Sequence, residues 1–299
     1  MAIYKTYLIP RSLEDALRVL VETPGTVRIL AGGTDLLLDL QQGRHEPVDC
    51  LVDITAIPEL SRVEITGDHL FIGAAVPLNV VNQSKEVVAH AQALQEASSL
   101  VGGPQVRNSA TLGGNVAHAL PAADGTIALM ALGATAEVAC FESLRMEPLG
   151  NLFRGPGQST LDAHKDLIIG FHIPLIRDGQ ASAFCRIMRP QGVALPILNM
   201  AIWIERMEDI IADIRIALGP AGPTPQRGIT AENYLRGKKP TDEVMQIAAD
   251  RLRDSVRFRT SPRRATFEYR KHLCGILLSK VLQTAWDRTF QPLKENLGN

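Results

Sequence analysis

Four cysteines in 299 residues are few, and their placement excludes more than their number does. Cys50, Cys140, Cys185 and Cys274 lie far apart. They offer no paired spacing for zinc or an iron–sulfur cluster, and no disulfide framework of the kind a small secreted domain requires. They read as buried free thiols in a reducing compartment. The start, "MAIYKTYLIPRSLEDAL", lacks the basic segment, apolar stretch and small-residue cleavage site of a secretory signal. Long apolar runs are missing too: "VALPILNMAIWI" (193–204) is too short for a bilayer and is interrupted by Pro196 and Asn199. No membrane span is expected, and the cytoplasm is the expected location. A formal net charge of −1 gives no general attraction to nucleic acid or anionic membranes. Any anionic ligand therefore has to be held by local geometry. His45, His69, His90, His164, His172 and His272 show neither metal-ligand spacing nor an acid–base partner, so no catalytic residue and no metal site is assigned. Internal repeats and low-complexity segments are absent.

What remains is the composition of an ordinary globular protein, 45% apolar and 21% charged, long enough for two or three domains. "SLEDALRVLVETPG" (12–25) predicts a helix, with Ser12 as its N-cap and Pro24-Gly25 as its stop. "VRILAGG" follows as a short buried strand, "LLLDLQQGR" as a helix and "CLVDIT" as a strand, which predicts a small α/β unit with parallel strands. "VEITGDHLFIGAAVPL" (63–78) predicts a hairpin turning at Gly67-Asp68. "EVVAHAQALQEASSLVGG" predicts one helix closed by Gly102-Gly103; "TIALMALG" is an apolar helix, and "TAEVACF" and "DLIIGFHIPLI" are strands. Beyond the polar "RDGQAS", "AFCRIMR", "NMAIWIE" and "DIRIALGP" predict a three-stranded antiparallel sheet, followed by the helices "DEVMQIAADRLRDSV" and "EYRKHLCGILLSKVLQTAW". On the last of these, Leu273, Leu277 and Val281 share one face and are expected in the core. The expected fold is α+β in three parts: 1–56 (α/β), 57–176 (mixed or antiparallel sheet with helices) and 177–299 (antiparallel sheet with helices).

Two glycine pairs carry the chemistry. "AGGTDLLLDL" (31–40) lies between a strand and a helix, and "NSATLGGNVAHALPAADG" (108–125) repeats the device. Successive N–H groups in such turns converge into anion-binding nests. Each pair alone is either a structural turn or half of a cradle. Neither is a phosphate-binding loop with a following Gly-Lys-Ser/Thr, and neither has the Gly-x-Gly-x-x-Gly spacing.

"LAGGTDLL", "GGPQVRNSATLGGNVAHALPAAD", "IALGPAGPTPQR" and "EYRKHL", in this order from about Tyr4 to Leu282, resemble the FAD-binding medium subunit of molybdenum hydroxylases, the family of the xanthine dehydrogenase and aerobic carbon monoxide dehydrogenase flavin subunits. The resemblance implies a vanillyl-alcohol-oxidase-type fold, with FAD between the two N-terminal subdomains and a C-terminal flavoprotein domain closing one side. It places Ala31, Gly32, Gly33 and Thr34 on one wall of a pyrophosphate site and Thr111, Gly113, Gly114 and Asn115 on the other. Asp35 and Leu36 would lie toward the flavin ring, Val101 and Gly102 on the adenine side, and Ile168 beside the cofactor. Asp124 matches an acid that contacts the cofactor, and a carboxylate is a natural acceptor for ribose hydroxyls.

Arg186, placed by the resemblance with the cofactor-binding residues near the flavin, stands where many relatives have lysine, which exchanges a point donor for a planar fork. Leu120 stands where a small polar residue precedes the proline, and His118 where a small or hydroxylated residue is ordinary. His118 is either a flavin contact or a structural histidine. The resemblance also implies partners: a molybdenum cofactor-binding large subunit, a [2Fe–2S] small subunit, and NAD⁺ or another electron acceptor. Two alternatives stay open, a self-contained flavoprotein oxidase or reductase and an assembly protein that has lost flavin. The basic run "SVRFRTSPRRATFEYR" (255–270) is either a solvated face or a docking surface.

Overall fold

The computed structural model describes residues 2–141, 143–189, 195–262 and 264–292. The end of the expected C-terminal part, and Arg263 of the basic run, lie outside these residues.

The first sheet holds β1 (Tyr4–Leu8), β2 (Val27–Leu30) and β3 (Val48–Asp53), ordered β1-β3-β2 with both pairs parallel. Helices α1 (Leu13–Glu22) and α2 (Leu36–Gln41) make the connections. Ser12 caps α1 by accepting from the Asp15 N–H at 3.1 Å. The sequence reading did not include β1, because its side chains are almost all exposed and leave no apolar alternation to see.

The second sheet has the order β4-β5-β10-β6-β7, from β4 (Val63–Thr66), β5 (His69–Gly73), β6 (Thr135–Cys140), β7 (Ser143–Pro148) and β10 (Leu167–Pro174). A small hairpin of β8 (Phe153–Gly155) and β9 (Gln158–Ser159) precedes β10. Its helices are α3 (Leu78–Gln83), α4 (Lys85–His90), α5 (Gln92–Leu100), α6 (Pro104–Ser109), α7 (Leu112–Ala117) and α8 (Asp124–Leu132). The one helix expected over 86–103 is two: the backbone leaves helical dihedrals at Ala91, and α5 sets off in a new direction. No breaker marks the place, since alanine is the best helix former; tertiary packing overrides propensity.

The third sheet, β11 (Gln180–Ile187), β12 (Leu198–Met207), β13 (Ile210–Gly219) and the short β14 (Gln226–Arg227), is antiparallel in sequence order. It is covered by α9 (Ile229–Leu235), α10 (Asp242–Ser255) and α11 (Phe267–Arg288). Leu273, Leu277 and Val281 are buried in its core, as their spacing predicts. Cys50 and Cys274 are buried, while Cys140 and Cys185 are only half-buried.

Two attachments fix the third sheet on the second. Glu96 on α5 accepts from the Phe184 N–H at 2.8 Å and pairs with Arg288 at the end of α11, and Ser182 accepts from the Ala93 N–H at 3.1 Å. Arg215 lies 3.7 Å over the Trp203 ring and donates to the carbonyls of Ala131 and Leu132, which the end of α8 leaves without helical partners. The strands and helices that bear the site are thereby held in one frame.

Candidate functional site: a two-loop cradle

The first glycine loop runs from the end of β2 to the start of α2. Gly33 takes a φ of +66°, in the left-handed region that glycine enters without strain. Gly32 has a different reason: a Cβ there would lie 2.0 Å from the Ser109 carbonyl oxygen. The loop is thus packed against the residues that lead into the second glycine pair, and the fold brings the two motifs together. The first N–H of this turn to find a backbone acceptor is that of Leu37, on Gly33 at 3.0 Å. Among the described residues no protein group accepts from the N–H groups of Gly32, Gly33, Thr34 or Asp35. With the Leu36 N–H, five consecutive open donors at a strand-to-helix turn form an anion nest. Asp35 is exposed and makes no capping bond, so it does not quench them. Leu36 is half-buried against the small cluster of Leu40, Val48 and Leu51.

The second loop is built differently, and the expectation of a matching nest needs correction. Thr111 is the N-cap of α7, and its hydroxyl accepts from the Gly114 N–H at 3.1 Å. Leu112 N–H bonds Val76, Gly113 N–H bonds Ala74 at 2.9 Å, and Asn115 N–H bonds Thr111 at 3.0 Å. Every backbone donor from 112 to 115 is engaged inside the protein. Gly113 is glycine because a Cβ would meet the Ala74 carbonyl oxygen at 2.5 Å. Gly114 is exposed, and a Cβ there would meet only the Thr111 hydroxyl, at 3.2 Å, with open space beyond. Asn115 is oriented by its Oδ1, which accepts from the Thr126 N–H at 3.1 Å, and its Nδ2 has no protein acceptor among the described residues. The second loop therefore offers a bare surface at Gly114 and a side-chain donor at Asn115.

Asp124 is engaged inside the protein. It is 3% exposed; Oδ2 pairs with Arg186 Nη1 at 2.5 Å, and Oδ1 accepts from Asn199 Nδ2 at 2.6 Å. Both oxygens are thus engaged by protein groups. It ties the start of α8 to β11 and β12 and holds Arg186 in place. Burial pushes the Asp124 carboxyl above its ordinary value, while Arg186 and Asn199 pull it back. Arg186 also reaches Met188 Sδ at 3.2 Å, and its Nε is buried without a partner.

Val101 and Gly102 sit in a half-buried turn whose two carbonyls accept from Arg107 Nη1 at 3.2 and 2.9 Å. Arg107, with Thr126 and Asn199, was missed by sequence reading. The only signal for it was a cation four residues after a glycine pair. Ile168 lies inside the core of the second sheet, 5% exposed, in one buried cluster with Ala110, Leu112 and Val116 of the second loop and α7. His118 is the C-cap of α7, half-buried; its N–H donates to the Gly114 carbonyl at 3.0 Å, and its ring makes no hydrogen bond among the described residues. The next residue, Ala119, is held at a φ of +54° while 1% exposed, a strained conformation for alanine.

A run of open donors on one loop, packed against the loop that carries a bare glycine, fits a pyrophosphate-bearing cofactor. Residues 2–176 match the model of the FAD binding domain in molybdopterin dehydrogenase. The chain belongs to that family. Residues 182–285 match the CO dehydrogenase flavoprotein C-terminal domain. Among curated relatives, the chain is 28% identical to the xanthine dehydrogenase FAD-binding subunit of Escherichia coli O157:H7, covering 94% of this chain and 96% of that one. It is 30% identical to the nicotine 6-hydroxylase medium subunit of Paenarthrobacter nicotinovorans, covering 95% and 98%. Its fold superposes on a chain of the carbon monoxide dehydrogenase from Hydrogenophaga pseudoflava with a TM-score of 0.91 at 28% identity, covering 96% and 99%. The protein is an FAD-binding oxidoreductase subunit of the molybdenum hydroxylase family, with the α+β architecture of its relatives.

Proposed function

We propose that this chain is the electron-relay component of a three-component dehydrogenase. In this reading a large subunit hydroxylates substrate at a molybdenum cofactor, a small subunit carries [2Fe–2S] clusters, and the chain delivers electrons to NAD⁺ or another acceptor in the cytoplasm. Bound FAD supplies the exchange between single-electron and two-electron carriers. The chain's own residues do the positioning. Gly32, Gly33, Thr34 and Asp35 donate backbone hydrogen bonds to the pyrophosphate, and Gly114 leaves it room. Asn115 adds a side-chain donor, and Asp124 holds Arg186 at the edge of the site. Val101 and Gly102, fixed by Arg107, shape the adenine side.

The single observation that carries this is the run of unengaged N–H groups on the first glycine loop, which Gly32 packs against Ser109 at the entry to the second. Among the described residues no group of three or more His, Cys, Asp and Glu is placed to share a metal ion, and no helix is long and apolar enough to cross a membrane. Affinity purification from the native source, followed by flavin and metal analysis, tests the assignment. The expected result is co-purification of two further subunits with molybdenum and iron, and bleaching of the flavin by the substrate of the complex. A flavinated chain recovered alone, turning over a substrate by itself, would overturn it.

A further inference from the structure

Three arginines of the C-terminal part converge where no carboxylate meets them. Arg270 on α11 is fully buried. Its Nη1 donates to the Pro220 carbonyl, and its Nε has no partner. Arg259 is anchored beside it, its N–H on the next carbonyl, Ala221, at 3.0 Å. Arg264 follows a tight turn in which its N–H bonds Ser261 at 3.0 Å. Among the described residues no side-chain or backbone group bonds the guanidinium of Arg259 or Arg264, and no acid pairs with any of the three. Burial, together with repulsion from Arg259, pushes Arg264 below its ordinary value, and burial with repulsion from both neighbours does the same to Arg270. Like charges gathered without a counter-charge are an unrelieved cost in a partly desolvated site.

A cavity of about 350 Å³ opens against this cluster. Arg259, Ser261 and Arg264 form one wall; Leu120 and Pro121, from the loop after the second glycine pair, form the other with Pro156. The end of β13 packs closely on the second wall, since a Cβ on Gly219 would lie 2.1 Å from the Pro121 carbonyl oxygen, and Arg259 is bonded to Ala221 just beyond it. We propose that this cavity is a second anion site, distinct from the flavin cradle, that takes a phosphate or pyrophosphate group on Arg259 and Arg264, with Ser261 as a further donor and Arg270 behind them. Planar guanidinium forks match phosphate oxygens bidentately. A pocket closed on two sides by prolines and a serine fits a small anion better than the broad acidic face of a protein.

The test uses the FAD-loaded chain, so that the flavin cradle is filled and does not compete. Calorimetric titration with sodium pyrophosphate, inorganic phosphate and ADP is compared between the unmodified chain and an Arg259→Gln/Arg264→Gln variant; Arg270, embedded in the core, is left intact. The expected result is saturable pyrophosphate binding that weakens about tenfold or more in the variant while FAD content stays unchanged. ADP binding tighter than pyrophosphate assigns the group to a nucleotide, and comparable binding assigns it to the free anion. Absence of binding by all three, or equal binding by the variant, would overturn the site. Neither result depends on partner subunits, so it leaves the electron-relay reading to its own test.

Discussion

Gly114→Val is expected to give a folded protein that carries no flavin. The position separates the cradle from the fold in a way the neighbouring glycines do not. A Cβ at Gly32 would lie 2.0 Å from the Ser109 carbonyl oxygen, and one at Gly113 would lie 2.5 Å from that of Ala74, so a side chain at either disturbs the backbone itself. At Gly114 the added carbon meets only the Thr111 hydroxyl at 3.2 Å, so a valine side chain would enter the open space in which the cofactor is proposed to lie rather than the backbone of the fold. Helix propensity changes little when valine replaces glycine. The variant should keep the circular dichroism and unfolding midpoint of the unmodified apoprotein while losing the flavin absorption. A fully flavinated variant would mean that the cofactor does not pass over Gly114.

Arg186→Met should cost about 3–5 kcal/mol of stability, because it strands a buried carboxylate. The Arg186 and Asp124 side chains are 6% and 3% exposed, and Asn199 alone would remain to bond Asp124. The pH dependence follows from the direction of the shift. Without the guanidinium, burial raises the Asp124 carboxyl further above its unfolded value, so the folded state holds its proton to higher pH than the unfolded chain does. Stability of the variant is then greatest below the unfolded carboxylate range and falls as pH rises through the raised folded value. Adding Asp124→Asn to Arg186→Met should recover part of the loss by removing the stranded charge. Arg186→Lys should cost less than Arg186→Met, since it keeps the cation and loses only the fork. Urea unfolding at two pH values measures all four proteins; a loss for Arg186→Met that is small and independent of pH would show that the pair is not the clasp described here.

Much of this arrangement was legible in the sequence, for reasons that differ from part to part. Glycine pairs between a strand and a helix signal themselves locally, and α8 and the C-terminal strands are continuous apolar segments that periodicity finds. Strand β1 was not legible because it is an exposed edge, and the break at Ala91 was not because alanine favours the helix it interrupts. The roles inside the second loop were hidden for another reason. Whether Gly113 and Gly114 donate to a ligand or to their own fold depends on where the carbonyl of Ala74 and the hydroxyl of Thr111 lie, and only the first of these is a long-range fact. Asp124 illustrates the limit most clearly. Its identity matches a cofactor-contacting acid, but that its two carboxylate oxygens also meet Arg186 and Asn199, from strands of the C-terminal sheet, is visible only in the structure. Pairings of that kind are set by tertiary placement, which no local pattern encodes.

The central claim is that the first glycine loop donates its backbone to FAD while the second supplies a surface already satisfied by the protein. Residue-resolved amide hydrogen exchange, with and without FAD, measures this directly. The amides of Gly32, Gly33, Thr34 and Asp35 should exchange quickly in the apoprotein and become protected on FAD binding, whereas those of Leu112, Gly113, Gly114 and Asn115 should be protected in both. Stoichiometric FAD binding that left residues 32–35 as exchangeable as before would contradict the account.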